Sequence, residues 1–290
     1  MDIVEAPTIT SLPAEARGAV VVSGSHGGRY PGYLAAKARV RAVILNDAGV
    51  GRDGAGIGAL GYLERYGIAA AAISHASARI GDAADMTARG IVSHANAPAQ
   101  AAGVAPGMAC REAATRLLGT QLVETEPDPF GETRSALDAP GATRRVVLVD
   151  SAAQLEPGDA GQIIVTGSHG GLVGGDPRLA LRVAGYAGVF NDAGIGIDEA
   201  GITRLPALDQ RGIAAFTVSA ASACIGDAGS SYRDGVISVA NKMAQARGAQ
   251  PGLRARDVID MWTWPGATAP FGVDDRGQTP GRKPEVLRRP

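Results

Sequence analysis

The sequence predicts an α/β protein made of two tandem homologous units, each doubly wound around a mainly parallel sheet and related to the other by a pseudo-two-fold axis. Three observations lead there. Apolar runs such as "GAVVVSG" and "VRAVILN" read as strands buried on both faces of a parallel sheet. These runs alternate with stretches of helical pattern, which argues for wound α/β units. The chain also repeats itself: "VVVSGSHGGRYPG" (20–32) returns as "IIVTGSHGGLVGG" (163–175), and "LNDAGVGRDGAGIGAL" (45–60) returns as "FNDAGIGIDEAGITRL" (190–205).

In chain order, strand "GAVVVSG" is followed by helix "GYLAAKAR", and strand "VRAVILN" by helix "GIGALGYLERYG". Strand "IAAAAIS", a short helix near 84–89, strand "GIVSHAN" and a last helix "GMACREAATRLL" complete the copy. "YGIAAAAISHASARIGDA" (66–83) matches "RGIAAFTVSAASACIGDA" (211–228), and "GIVSHAN" (90–96) matches "GVISVAN" (235–241). Roughly half the positions between Asn46 and Asn96 are identical to their counterparts. The period is too long for a solenoid, so each copy holds its own core. The expected organisation is a first repeat over 1–123, a polar linker rich in Pro and Gly over 124–144, a second repeat over 145–262, and a tail over 263–290. "PFG" occurs in the linker (129–131) and in the tail (270–272), which predicts that part of each docks onto a half.

Composition bounds the function. A hydrophobic content of 45% with 20% charged residues is that of a globular chain. The net charge of −1 gives no electrostatic footprint for nucleic acid. No apolar run has membrane-spanning length, and the N-terminus lacks the pattern of a signal peptide, so a soluble cytoplasmic protein is expected. The two cysteines form neither a metal motif nor a disulfide framework. The implied partner is a small molecule, with no nucleic acid and no membrane; a homo-oligomer is compatible with the sequence.

In open parallel sheets ligands bind beyond the carboxyl ends of the strands, and polar residues gather there. The first copy supplies Ser25 and His26, then Asn46 and Asp47, then Ser74, His75, Ser77 and Arg79 with Asp82 close behind, and finally His94 and Asn96. The second copy keeps Ser168, His169, Asn191, Asp192, Ser219, Ser222, Asp227 and Asn241, but has Ala220, Cys224 and Val239 for His75, Arg79 and His94. Turn and capping chemistry offers another account of many of these: glycines for tight turns, Asp47 and Asp192 as caps, Asn96 and Asn241 as helix caps, Asp82 and Asp227 as turn residues. It does not require His26 and His169 at matching places.

The order of motifs resembles the caspase-haemoglobinase fold, the family of clan CD cysteine peptidases and CHAT domains, within the broader Rossmann-like architecture. There a strand ends in His-Gly and the next in Asp-Ala-Cys; here "VVVSGSHGG" supplies His26-Gly27 and "AVILNDAGVG" supplies Asp47-Ala48. The resemblance implies the fold. It does not carry the peptidase activity over, because Gly49, and Gly194 in the second copy, stand where the family has its nucleophilic cysteine.

The function expected from the residues is an enzyme, hydrolase or lyase, acting on a small polar molecule by histidine-assisted acid–base chemistry, with hydrolysis of an amide, lactone or ester foremost. His26 is the expected acid or base. Ser25 or Ser74 would be nucleophile or substrate ligand, Asp47 would orient His26, and His75 completes the candidate catalytic set. Amides of the Gly27-Gly28 turn would stabilise an oxyanion, and Arg79 would hold a carboxylate. The extra His75, His94 and Arg79 favour the first copy as the site. No cofactor is required; a divalent metal on His26, Asp47, His75 and His94 is one alternative, and a non-catalytic anion-binding protein with an inactive hydrolase-like fold is another.

Overall fold

A computed structural model describes residues 2–138 and 140–264. The first half runs β1 (Ile3–Ala6), β2 (Val20–His26), α1 (Arg29–Lys37), β3 (Ala42–Asn46), α2 (Gly58–Glu64), β4 (Ala69–Ile73), α3 (Ala83–Arg89), β5 (Val92–Ala95), α4 (Ala97–Ala101) and α5 (Cys110–Leu117). Its strands lie in the order β1-β2-β3-β4-β5; the first four are parallel and β5 is antiparallel to β4. The second half runs β6 (Arg134–Leu137), β7 (Val146–Val149), β8 (Ile163–His169), β9 (Ala187–Asn191), α6 (Arg204–Gln210), β10 (Ala214–Val218), α7 (Ala228–Arg233), β11 (Ile237–Ala240), α8 (Lys242–Gln245) and α9 (Ala255–Thr263). Its sheet repeats the pattern, with β6 added antiparallel along the edge of β7. These are the two similar doubly wound units expected. Among the described residues no helix is long and apolar enough to cross a membrane.

The apolar runs have the cause inferred for them. Val20, Val22, Ala42 and Ile44 pack with Met86 of α3 and Ala113 and Leu117 of α5, while Val21, Val43 and Leu45 pack with Ala35 of α1 and Leu63 of α2. Successive residues of each strand therefore bury against opposite layers. In the second half Ile163 and Val165 face Val258 and Trp262 of α9, and Ile164 faces Leu205 and Leu208 of α6.

The halves differ in one layer. Residues 172–186, which follow β8, form no counterpart of α1; two 3₁₀ turns, Val173–Gly175 and Pro177–Leu179, take its place. Gly174 and Gly175 adopt left-handed backbone, and Pro177 lacks an amide to donate. Nor is the segment between the halves only a connection. It supplies β6, a fully exposed strand whose sequence has no apolar alternation to announce it. Phe130 of its "PFG" packs against Tyr30, Tyr33 and Tyr62, with the Arg29 guanidinium 5.1 Å from its ring centre. The matching "PFG" of the tail lies outside the described residues.

The halves meet through the carboxyl ends of their sheets. Arg52 N donates to Ala220 O at 2.8 Å, and its counterpart Ile197 N donates to His75 O at 2.9 Å. Ala48, Ile80 and Ala55 from one half close a small apolar cluster with Ala193, Ile225 and Ala200 from the other. Gly49 and Gly194 touch on the pseudo-two-fold axis: a Cβ on either would lie 2.8 Å from the other's Cα. Around them Ala48, Gly49, Val50 and Gly51 all have φ between 47° and 75°, and Ala193 to Gly196 repeat the run. Left-handed backbone is costly for alanine and more so for β-branched Val50 and Ile195, so this joint stores strain. Ion pairs from Asp198 to Arg79 (2.9 Å) and Arg89 (2.6 Å) tie its rim.

Candidate functional site

Where the halves join, two spaces open, each lined by equivalent residues of both halves and so lying on the pseudo-two-fold axis. The more closed of the two is a cavity of about 430 Å³ bounded by both Gly-Ser-His turns: Ser25 and His26 on one wall, Ser168 and His169 on the other. A strand that ends in Gly-Ser-His-Gly-Gly can bring its histidine this far because its glycines allow close packing. A Cβ on Gly27 would fall 2.5 Å from Gly56 O, and one on Gly170 would fall 2.5 Å from Gly201 O. Each turn also lies against the opposite half, with Gly226 beside the His26 ring and Ile80 beside Gly171.

The serines are engaged in the same way on both walls. Ser25 Oγ accepts from Ile9 N and Ser168 Oγ from Ala152 N, both at 3.0 Å. Neither bonds to its neighbouring histidine. His26 Nδ1 accepts from Gly28 N at 3.1 Å, which leaves the proton of the neutral ring on Nε2. Burial pushes His26 down to about 4. His169 is 7% exposed. Gly171 N approaches its Nδ1 without reaching hydrogen-bond geometry, and that nitrogen has no partner among the described residues. Burial, then the positive charge of Arg204 and the nearby His26, hold His169 well below the usual range. Both imidazoles are therefore neutral near pH 7.

Five further acidic or basic side chains line this cavity that strand-end reasoning did not find: Glu132, Asp150, Asp176, Arg182 and Arg204. Glu132, from the segment between the halves, is pushed up to about 7 by burial and by the charge of Asp150. Arg204 is 4% exposed and Arg182 is exposed at the edge. Arg204 Nε donates to Gly171 O, and its Nη1 to Leu179 O and Ala180 O. Those carbonyls belong to the segment that replaced α1, so the guanidinium supplies donors that helix amides would otherwise supply. One signal was available: Arg204 aligns with Ala59 of the first copy.

The second space is a more open cleft of about 480 Å³, lined by Gly49, Gly194, His75, Asp192 and Ser219 among others. Here the expected partnership changes. Asp47 orients His75, not His26: its Oδ1 accepts from His75 Nδ1 at 2.8 Å, from His75 N at 2.9 Å and from Gly49 N at 3.1 Å. Burial works to raise Asp47, but the side-chain and backbone bonds from His75 outweigh it and hold the carboxyl low. The bond to Asp47 raises His75 against the effect of burial, with help from the charges of Asp47 and Asp192. Asp192 Oδ1 makes the matching backbone bonds to Gly194 and Ala220, with no histidine to hold.

The remaining strand-end residues hold the backbone. Asn46 and Asn191 each accept from the amide two residues on and donate to a carbonyl of the next loop. Asn96 and Asn241 cap α4 and α8, and Asp82 and Asp227 cap α3 and α7. Ser74 and Ser219 accept from Ala76 N and Ala221 N, and Ser77 and Ser222 each bond two backbone groups. Arg79 is committed to acidic side chains, chiefly Asp198 of the other half. His94 bonds Ser93 Oγ on β5, away from both spaces. The turn amides expected to form an oxyanion hole are occupied as well, Gly27 N by Asn46 O and Gly28 N by His26. Of His26, Asp47, His75 and His94 only Asp47 and His75 come together, and no group of three or more His, Cys, Asp or Glu suited to a metal forms among the described residues. Both spaces are lined by residues of both halves.

No family model, no curated protein and no solved structure matches the chain.

Proposed function

We propose that the protein is an enzyme that binds a small polar molecule in the cavity between its halves and hydrolyses an amide, lactone or ester by acid–base chemistry. The observation that carries this reading is that two Gly-Ser-His turns distant in sequence face one enclosed space that also holds a carboxyl able to keep its proton near neutrality. A neutral His26, its Nδ1 exchanging the bond from Gly28 N for one from the attacking water, takes a proton from that water as it adds to the carbonyl carbon; Glu132 gives a proton to the departing nitrogen or oxygen. His26 is available as a base above about pH 4 and Glu132 as an acid below about pH 7, so activity is greatest between those limits. This reading uses no cysteine, and neither Cys110 nor Cys224 lines the cavity.

The test is turnover of a broad panel of amides, lactones and esters by the intact chain, followed by His26→Ala and His169→Ala on the same substrate. A shared site predicts comparable losses, each about a hundred- to ten-thousand-fold, with the fold intact by circular dichroism. Full activity in His169→Ala would confine the chemistry to the first half, and stabilisation by panel compounds with no turnover would make the protein a binding protein.

A further inference from the structure

We infer that the ligand of this cavity is bipolar, with an oxyanion, carboxylate or phosphate, held at the second-half wall by Arg182 and Arg204, and a hydrogen-bond-donating group, amine or hydroxyl, held by Glu132 and Asp150. This rests on the cavity being the functional site proposed above, and adds the class of molecule it takes.

The argument starts from charge. Arg204 is almost wholly buried, and a buried charge is normally paired. All three of its hydrogen bonds go to carbonyls, and none of them uses Nη2. No carboxylate among the described residues pairs with it. Instead its charged neighbours are cationic or basic: Arg182 lies close enough to disfavour its charge, and Arg204 in turn disfavours a charge on His169. Arg182 makes no ion pair among the described residues either. Two guanidinium groups that repel each other on the wall of one cavity gain a shared counter-charge when an oxyanion enters, and their planar donor forks suit carboxylate and phosphate oxygens.

Two acids line the same cavity, and the charge felt by Glu132 is that of Asp150. Asp150 is fixed by its own bonds, Oδ2 accepting from Thr133 N and Oγ1 and Oδ1 from Ala228 N. Glu132 is held by the Ser151 hydroxyl and pairs with no cation among the described residues. Two neighbouring carboxyl groups that no described cation pairs with are completed by a ligand group that brings hydrogens. Asp176, the other acid on the lining, is already taken by Arg178 through bonds of 2.7 to 3.0 Å. The first copy cannot offer this arrangement twice, because Ala59 stands at the position of Arg204 and α1 fills the place of the segment bearing Arg182.

Isothermal titration calorimetry and thermal shift on the intact chain test this with inorganic phosphate, succinate, its uncharged counterpart succinamide, and the pair 4-aminobutanoate and butanoate. Succinate or phosphate should bind at millimolar concentration and succinamide should not. 4-Aminobutanoate should bind more tightly than butanoate. Arg182→Ala, at an exposed position that carries no fold contact through an ion pair, should weaken the anions about tenfold or more, and Glu132→Gln should remove the preference for 4-aminobutanoate while leaving that for succinate over succinamide. Equal binding of succinate and succinamide, absence of binding by every anion, or unchanged anion affinity in Arg182→Ala would overturn the inference. Turnover of neutral compounds with no preference for anions would do so too while leaving the proposed hydrolysis standing; anion binding with no turnover of any panel compound would sustain the inference and sink the hydrolysis.

Discussion

Replacing Gly49 by alanine separates two costs that the structure predicts at the pseudo-two-fold axis. The first is conformational: Gly49 has φ +75°, where an L-residue is disfavoured by about 1–2 kcal/mol. The second is steric, since the new Cβ would lie 2.8 Å from Gly194 Cα and 3.1 Å from Gly194 N, and backbone cannot swing aside as a side chain can. Overpacking of this kind adds about 1–3 kcal/mol. Gly67 is the control. Its φ is +71°, but no atom lies within 4 Å of where its Cβ would be. Gly67→Ala should therefore lose about 1–2 kcal/mol, and Gly49→Ala about 2–5 kcal/mol with both costs combined. Gly194→Ala should be at least as severe, because its Cβ would also meet the His75 ring at 2.9 Å. Urea denaturation of the three variants, followed by circular dichroism, measures the difference. If Gly49→Ala proves no worse than Gly67→Ala, the halves do not meet at these two glycines, and a cavity shared between them loses its geometric basis.

Acid should weaken the fold through the cavity histidines. An unfolded imidazole titrates near 6.5, whereas His26 in place titrates at about 4, so below 6.5 the unfolded chain binds the extra proton and stability falls until pH drops through about 4. For His26 alone the loss is about 3 kcal/mol; His26→Asn should flatten this limb in denaturation experiments run from pH 7 to 4, and an unchanged slope would show that His26 is not desolvated. Phe130→Ala should cost about 3–5 kcal/mol if its ring is as well packed against Tyr30, Tyr33 and Tyr62 as a core side chain, and limited proteolysis should then cut near 130 sooner than in the parent chain. Asp198→Ala removes both rim ion pairs at the joint, yet these are exposed, so urea denaturation should show little change, and a large loss of stability would contradict their surface character.

The architecture was legible because it rests on period and repetition. Val20 to Val22 and Ala42 to Leu45 alternate between two buried layers, which requires an unbroken apolar run, and the second copy restates it. Of the cavity lining, the Gly-Ser-His turns were legible: Ser25, His26, Ser168 and His169. Asn46, Asn96, Asp82 and Ser77 have the composition of a binding site, but their bonds are those of caps and loop braces, and a sequence does not distinguish a polar group that holds its own backbone from one that waits for a ligand. The pairing of Asp47 with His75 depends on how β3 and β4 end side by side, a matter of register and not of spacing. Glu132 belongs to a segment without periodicity, so nothing local placed it in the cavity. Differences between the copies were the underused signal: Arg204 against Ala59, and Gly174-Gly175 with Pro177 where the first copy continues into a helix, both mark the wall that diverged.

A recess astride a two-fold axis imposes a rule on what it recognises. Were the two walls identical, every unsymmetrical guest would have two equivalent ways to lie, and half the bound molecules would present the wrong end to any given side chain. Carrying both walls on one chain lifts that degeneracy, because each can be altered without altering the other. The joint itself stays nearly symmetric, glycine against glycine and alanine against alanine, while the lining of the cavity does not: the first half contributes Tyr30 and Pro31 of α1, and the second contributes Val173, Gly174 and Leu179 of two short turns together with Arg204, whose counterpart is Ala59. The tandem arrangement thus turns a symmetric scaffold into a directional one, in which a guest with unlike ends would find two unequal walls.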